Sequence, residues 1–263
     1  MKISVIGAGA MGGAMVHGML KGSTFANADI TVADPSAKAL EQFEETGATV
    51  TTDNVLAAKV SDIVAVVVKP WLVESVQKGI KQSLDYNRQL LIVVAAGVSS
   101  AQIKEWLDKG DGTMIPLFLV IPNTAIAVMN SMTFVVPVGA SEEQTATVKA
   151  MFDEMGSTLI TEERLLAAGT TLASCGIAYA MRYVRAASEG GVEIGFKADE
   201  AKAIVLQTVK GAVELLQANG NHPEAEIDKV TTPGGVTIKG LNEMEHAGFT
   251  SAVIRGLKAG MKS

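Results

Sequence analysis

The chain has one cysteine, Cys175, and three histidines, His17, His222 and His246, in 263 residues. A single cysteine rules out an intramolecular disulfide and suits a reducing compartment, so a cytoplasmic location is expected. The histidines are far apart in sequence, and no metal-ligand spacing is present, so no metal site is expected. Basic residues are neither abundant nor clustered: 22 Lys and Arg stand against 28 Asp and Glu, giving a net charge of −6. That balance excludes nucleic acid as the main partner, because phosphate binding needs grouped cations. Long apolar runs are also missing. "IVAVVV" and "LLIVVAA" are strand length, well short of the roughly 18 residues of a membrane span. The first 20 residues have one Lys and five glycines, a poor match to a secretory leader.

Hydrophobic residues are plentiful, at 48%, so a sizeable core is available. In the first half, short apolar runs alternate with helix-like segments. Strands are read at "KISVI", "DITVA", "IVAVVV", "QLLIVVAAG", "TMIPLFLVIPN" and "MTFVVPVG". Helices are read at Met11 to Lys21, at "SAKALEQFEETG" with Ser36 as cap and Gly47 as stop, at "SSAQIKEWL" and at "SEEQTATVKAMFDEMG". Such alternation predicts a parallel sheet with right-handed crossovers. After Ile160 the strand signal stops. A long helix starts at "TEER", a second is capped by Asp199 and stopped by Gly220, and one or two more, broken near Gly248, fill Pro233 to Met261. The expected domains are 1–160 and 161–263.

Gly7, Gly9 and Gly12 follow the first strand and open the first helix. In this context the first glycine makes a tight turn, the second admits a pyrophosphate and the third lets helix approach strand. The helix N-terminus then offers free N–H groups to phosphate. Ile6, Gly7, Ala8, Gly9, Ala10, Met11 and Gly12 are therefore assigned to a dinucleotide. Asp34 ends the second strand, where a carboxylate binds the ribose 2′-OH of NAD; the alternative is a turn residue before Pro35. Ser36 and Lys38 suit the 2′-phosphate of NADP, so the choice stays open. Ligands in such sheets lie outside the C-terminal ends of the strands. That brings in the loops Val68-Lys69-Pro70 and Ala95-Ala96-Gly97, with Lys69 read equally as a phosphate contact or a solvated turn residue.

These runs, with "IPNTA", "AYA", "EGGVEIG", "NHP" and "VTTPGGVTIKGL", resemble the pyrroline-5-carboxylate reductase family over nearly the whole chain. The resemblance implies an N-terminal Rossmann doubly wound sheet plus a C-terminal all-helical dimerisation domain that interlocks with a partner. It implies reduction of 1-pyrroline-5-carboxylate to L-proline with NAD(P)H, the last step of proline biosynthesis, with NADP favoured. Pro233, Gly234 and Gly235 leave a loop open to a ligand at the start of a helix, suited to the carboxylate of an imino acid; the bland alternative is a helix–helix connection capped by Thr. By resemblance Val236 and Thr237 hold the substrate, Thr232 matches a family Ser or Thr, Glu163 and Lys229 lie near the substrate, and Asn54 contacts the cofactor ribose.

The chain departs from the family at five positions. Leu119 replaces a common Arg, Ala125 a Pro, and Ser174-Cys175-Gly176-Ile177 stands for Gly-Ser-Gly-Pro. A divergent imine or ketone reductase and a non-catalytic dinucleotide sensor are the competing readings. The β-hydroxyacid dehydrogenases share the plan but use a Lys on the interdomain helix, and Met151 to Phe196 has no Lys. The helical half is apolar on more than one face, which predicts a homodimer; the family alone suggests a ring of dimers.

Overall fold

The computed structural model describes residues 1–261. They form two compact units that divide between Ile177 and Ala178. The first unit is built on one sheet of β1 (Ile3–Ile6), β2 (Ile30–Ala33), β3 (Thr49–Thr51), β4 (Ile63–Val66), β5 (Leu90–Val93), β6 (Leu117–Ile121), β7 (Ser131–Val138) and β8 (Gly156–Ile160). Their order is β3-β2-β1-β4-β5-β6-β7-β8. Chain direction across the sheet reverses between β1 and β4, and the crevice outside the C-terminal strand ends opens there. Ile3 lies opposite both Ile30 and Ile63, in parallel register.

β1, β2, β4, β5 and β6 are buried at every position. Successive residues still serve opposite faces. Val5 and Ala65 pack with Met15, Val16 and Phe152 of α1 (Ala10–Lys21) and α6 (Glu142–Asp153). Ile6, Val64 and Val66 pack with Ala57, Val73 and Ile103 of α3 (Asn54–Val60), α4 (Pro70–Ile80) and α5 (Ser100–Leu107). Helices thus cover both faces and leave the strand ends free for a site.

The sheet differs from the expected all-parallel one. β7 runs antiparallel to β6. The connection is too short for a crossover, which needs about a dozen residues. It is a single 3-10 turn, Thr124–Val128, closed by Met129 at φ 61°. The helix expected over Ser36–Gly47 is one α turn, α2 (Ala37–Leu40), and a 3-10 turn, Glu41–Phe43. Ser36 caps it by accepting from the Ala39 N–H. Thr46 donates both its N–H and its hydroxyl to the Phe43 carbonyl and ends it.

The long helix expected from "TEER" is interrupted. A 3-10 turn (Glu163–Leu165), α7 (Leu166–Gly169) and a π turn (Thr170–Ser174) come before α8 (Gly176–Glu193). This stretch is fastened to the sheet unit: Gly169 packs so close to Phe134 that a Cβ would lie 3.0 Å from its ring. The compact first unit therefore runs on past Ile160.

In the second unit, α8 is followed by α9 (Ala198–Asn219), α10 (Pro223–Lys229), α11 (Val236–His246) and α12 (Phe249–Gly260). Asp199 is not the cap of α9. The cap position is Lys197, whose N–H donates to the Glu200 carboxylate, and Asp199 sits in the first turn facing the helix dipole. Gly220 at φ 61° and Gly248 at φ 84° make the two breaks. Ala201 is the one buried residue among the described residues of α9–α12. Ile194, Leu215 and Val236 are exposed by 78%, 56% and 85%, so this unit does not cover its own apolar faces.

Candidate functional site

The turn between β1 and α1 separates the three glycines by role. Gly7 has φ +109°, and a Cβ on it would lie 2.2 Å from the Val67 carbonyl oxygen. A Cβ on Gly12 would lie 1.8 Å from the Gly7 carbonyl oxygen. Both are required by the fold itself. Gly9 has no neighbour within 4 Å of the place its Cβ would take. Gly9 is also the N-cap of α1, and no side chain caps that helix. Its first N–H groups are left for an outside acceptor, with open space before them. This fits a dinucleotide pyrophosphate.

Asp34 lies beside the turn. Its carboxylate accepts from the Ala8 N–H at 2.8 Å and from the Ser36 N–H at 2.9 Å, so it braces the fingerprint turn and the start of α2 together. Each oxygen keeps a second lone pair for a ribose hydroxyl. The Ser36 hydroxyl accepts weakly from Ala39 N–H at 3.4 Å and can still donate. Asn54 opens α3, and its Oδ1 is buried without a partner. An orphaned acceptor costs about 1–3 kcal/mol, so a ligand donor at that point is favourable. Asn54 lines a groove of about 480 Å³ with Thr52, Val55, Ser75 and Gly79, between α3 and α4.

On the other side of the switch point is a cavity of about 220 Å³. It brings together Met11, Val68, Lys69, Pro70, Ala95 and Ala96 from the expected set. Lys69 is the N-cap residue of α4 and is exposed. Gly97, at φ +80°, turns the chain just past the cavity. Sequence reasoning missed the far wall, made by Thr170 and Ser174 of the π turn. Their hydroxyls are already engaged, Thr170 with the Leu166 carbonyl at 2.7 Å and Ser174 with the Pro122 carbonyl at 2.5 Å. The walls therefore present mainly carbon, suited to a flat, weakly polar ring sheltered from water. Cys175 N–H donates to the Thr170 carbonyl at 2.9 Å and closes the π turn. Such turns recur at functional sites.

Glu163 lies in the first unit. Its carboxylate accepts from the Ser100 N–H at 2.8 Å and the Ser100 hydroxyl at 2.6 Å, at the start of α5. Leu119 is in β6, buried opposite Val93 and Val136. Ala125 N–H donates to Asn123 Oδ1 at 3.0 Å in the reversing turn.

The remaining expected residues lie in the second unit. Lys229 pairs with Glu226 at 2.6 Å, and that hydrogen bond leads in holding the Glu226 carboxyl below the usual carboxylate range. Gly234 has φ +72°. A Cβ on Gly235 would lie 2.5 Å from Thr232 Oγ1, so the glycine is needed for the threonine to fold across the turn. Gly235 is the N-cap of α11, again with no side-chain cap. Val236 and Thr237 are exposed in its first turn.

Two family models match the chain. Residues 163–263 match the family model for pyrroline-5-carboxylate reductase dimerisation. Residues 2–97 match the model for NADP oxidoreductase, coenzyme F420-dependent. The chain is 38% identical to pyrroline-5-carboxylate reductase 1 of Dictyostelium discoideum, over 97% of this chain and 48% of the relative. It thus spans about half the length of that relative. It is 33% identical to pyrroline-5-carboxylate reductase 2 of the same organism, over 97% of this chain and 89% of the relative. The fold is similar to that of Plasmodium falciparum pyrroline carboxylate reductase with NADP bound, with a TM-score of 0.90 at 24% identity, covering 100% of this chain and 96% of that one.

Proposed function

This chain belongs to the pyrroline-5-carboxylate reductase family, and we propose that it reduces 1-pyrroline-5-carboxylate to L-proline, using a nicotinamide dinucleotide as hydride donor. The observation that carries the reading is the pairing of two uncapped helix N-termini in one chain. One, at Gly9, opens onto space for a pyrophosphate; the other, at Gly235, opens a Thr-Pro-Gly-Gly-Val-Thr turn suited to a small carboxylate.

Little is asked of the side chains. A protonated imine is already electrophilic: hydride adds at its carbon while the nitrogen takes the C=N electron pair, so no residue need supply a proton. The chain's work is to hold and shelter. Gly9, Ala10, Met11 and Gly12 present N–H groups to the pyrophosphate. Asp34, Ser36 and Asn54 hold the adenosine ribose. Lys69, Pro70, Ala95 and Ala96 bound the ring cleft. Val236 and Thr237 offer N–H groups to the imino acid's carboxylate, and the Thr237 hydroxyl bonds the ring nitrogen as it becomes an amine. Gly234 and Gly235 keep that approach open and Thr232 buttresses the turn; Glu163 and Lys229 are assigned to the substrate by the family resemblance. The apolar faces of the second unit support a homodimer formed through residues after Ile160; a ring of such dimers rests on the family resemblance alone. The single cysteine supports a cytoplasmic enzyme.

The test is oxidation of NADPH and of NADH by the purified chain with DL-1-pyrroline-5-carboxylate, followed by reduced-nicotinamide absorbance. Turnover supports the reaction, and the two rates show which dinucleotide is used. NADP is the expected preference. A second reading has one observation behind it: Ser174 lines the ring cleft where the family carries Gly. A folded chain that binds dinucleotide yet leaves 1-pyrroline-5-carboxylate unreduced would favour a different cyclic imine.

A further inference from the structure

We propose that Trp71 forms the adenine end of the dinucleotide site, its indole stacking on the base. This rests on the reading of the Gly7–Gly12 turn as a dinucleotide site. Trp71 is 75% exposed, although tryptophan is highly buried on average. It follows Lys69 and Pro70 of the ring cleft, in the first turn of α4. Along α4, Val73, Gln77 and Ile80 turn into the core. Trp71, Ser75 and Gly79 recur at four-residue steps and share another face. Ser75 and Gly79 line the groove that also holds Asn54 with its unpartnered Oδ1.

Direction and topology then fix which ring Trp71 meets. Helical side chains lean toward the helix N-terminus. Trp71, in the first turn of α4, therefore lies at the C-terminal edge of the sheet, the edge that carries the fingerprint turn, beyond the Ser75 end of the groove. A dinucleotide with its pyrophosphate at Gly9 and its nicotinamide in the cleft beside β5 must place its adenosine on the β2–β3 side. Asp34, Ser36 and α3 lie on that side. Every base has a π face for an aromatic side chain, so the indole needs no polar partner to bind adenine.

The test uses ADP-ribose, which has the adenine but no nicotinamide ring, with the full chain. Trp106, the second tryptophan, packs partly buried against the core and supplies a constant background. ADP-ribose is expected to quench and blue-shift the wild-type emission and to leave Trp71→Leu unchanged. Trp71→Leu is expected to raise KM for the reduced dinucleotide about tenfold, with a much smaller change in kcat, and Trp71→Phe to recover most of that loss. Wild-type emission that stays put at ADP-ribose concentrations shown by calorimetry to saturate would overturn the stacking, as would an unchanged KM in Trp71→Leu. No binding heat at all with the wild type would remove the dinucleotide reading underneath, and the proposal with it.

Discussion

Replacing the fingerprint glycines one at a time by alanine should separate fold from ligand. In Gly12→Ala the new methyl would sit 1.8 Å from the Gly7 carbonyl oxygen, a backbone atom that cannot swing aside. Real contacts stay beyond about 3 Å, so helix and strand must part by more than an ångström. Overpacking of that kind costs roughly 1–3 kcal/mol or more, which in a chain of this size lowers Tm by about 2–12 °C. Gly9→Ala is different. Its backbone is extended, at φ −67° and ψ −169°, which alanine adopts freely, and its Cβ meets nothing within 4 Å. Alanine is a poorer N-cap than glycine, but it restricts the unfolded chain more. These effects oppose each other and leave stability within about 0.5 kcal/mol of wild type.

The same methyl enters the space before the uncapped N–H groups of α1. It pushes away a phosphate that those groups must reach within hydrogen-bonding distance. Losing one hydrogen bond to a charged group costs about 1.5–3 kcal/mol, or roughly 10- to 100-fold in affinity. Thermal unfolding and calorimetry with NADPH, run on wild type and both variants, check this. Gly9→Ala should melt with the wild type and bind at least about tenfold more weakly. Equal affinity with equal Tm would mean that no phosphate approaches Gly9, and the dinucleotide reading of this turn would be wrong.

Three further outcomes follow from named contacts. Hydrogen bonds from the Ser23 hydroxyl first, then from Thr24 and the Ser23 N–H, hold the Glu154 carboxyl at about 2 against an ordinary value of 4.5. A depressed folded pKa stabilises above the unfolded value, and that contribution is lost as pH falls from about 4.5 toward 2; discounted for solvent, Glu154→Gln should remove about 1 kcal/mol at neutral pH and flatten this acid limb in denaturant titrations. Gln77 is fully buried in α4 with neither amide atom paired within the protein; Gln77→Leu should raise stability by about 1 kcal/mol in urea unfolding, whereas a loss of that size would mean the amide is satisfied. Thr237→Ala should raise KM for the imino acid about tenfold, with Thr237→Ser near wild type in steady-state kinetics; an unchanged KM would remove the hydroxyl from the substrate.

The central strands were legible because strands covered on both faces must be apolar throughout, as Ile63–Val66 and Leu90–Val93 are. The edge strands were not. Thr49–Thr51 and Gly156–Ile160 are partly exposed and interleaved with polar residues, so their pattern matches that of loops. α3 and α4 were missed for a related reason: each follows a strand within a few residues, and the buried set in α4 includes the polar Gln77. The π turn at Thr170–Ser174 inserts one residue into a helical pattern without any change of composition, so periodicity alone carries it through as one helix. The far wall of the ring cleft was lost with it.

Sites made from backbone and sites made from side chains differ in what sequence can reveal. A turn that needs φ > 0, or a surface that a Cβ would block, must be spelled with glycine. Gly7, Gly9, Gly12, Gly234 and Gly235 therefore announced themselves. A side chain's partner carries no such mark: nothing in the letters ties Glu163 to Ser100, 63 positions away, or leaves Asn54 Oδ1 without a donor. Leu119 shows the converse. As a letter it was a departure from a family Arg and suggested an altered substrate. In the sheet it is 3% exposed and packs with Ile6, Val66 and Val93. An Arg confined there would bury an unpaired guanidinium, at a cost of several kcal/mol. Leu119 thus answers to the core of this chain, and any change of substrate has to come from residues that line the cleft, with Ser174 the first to exchange.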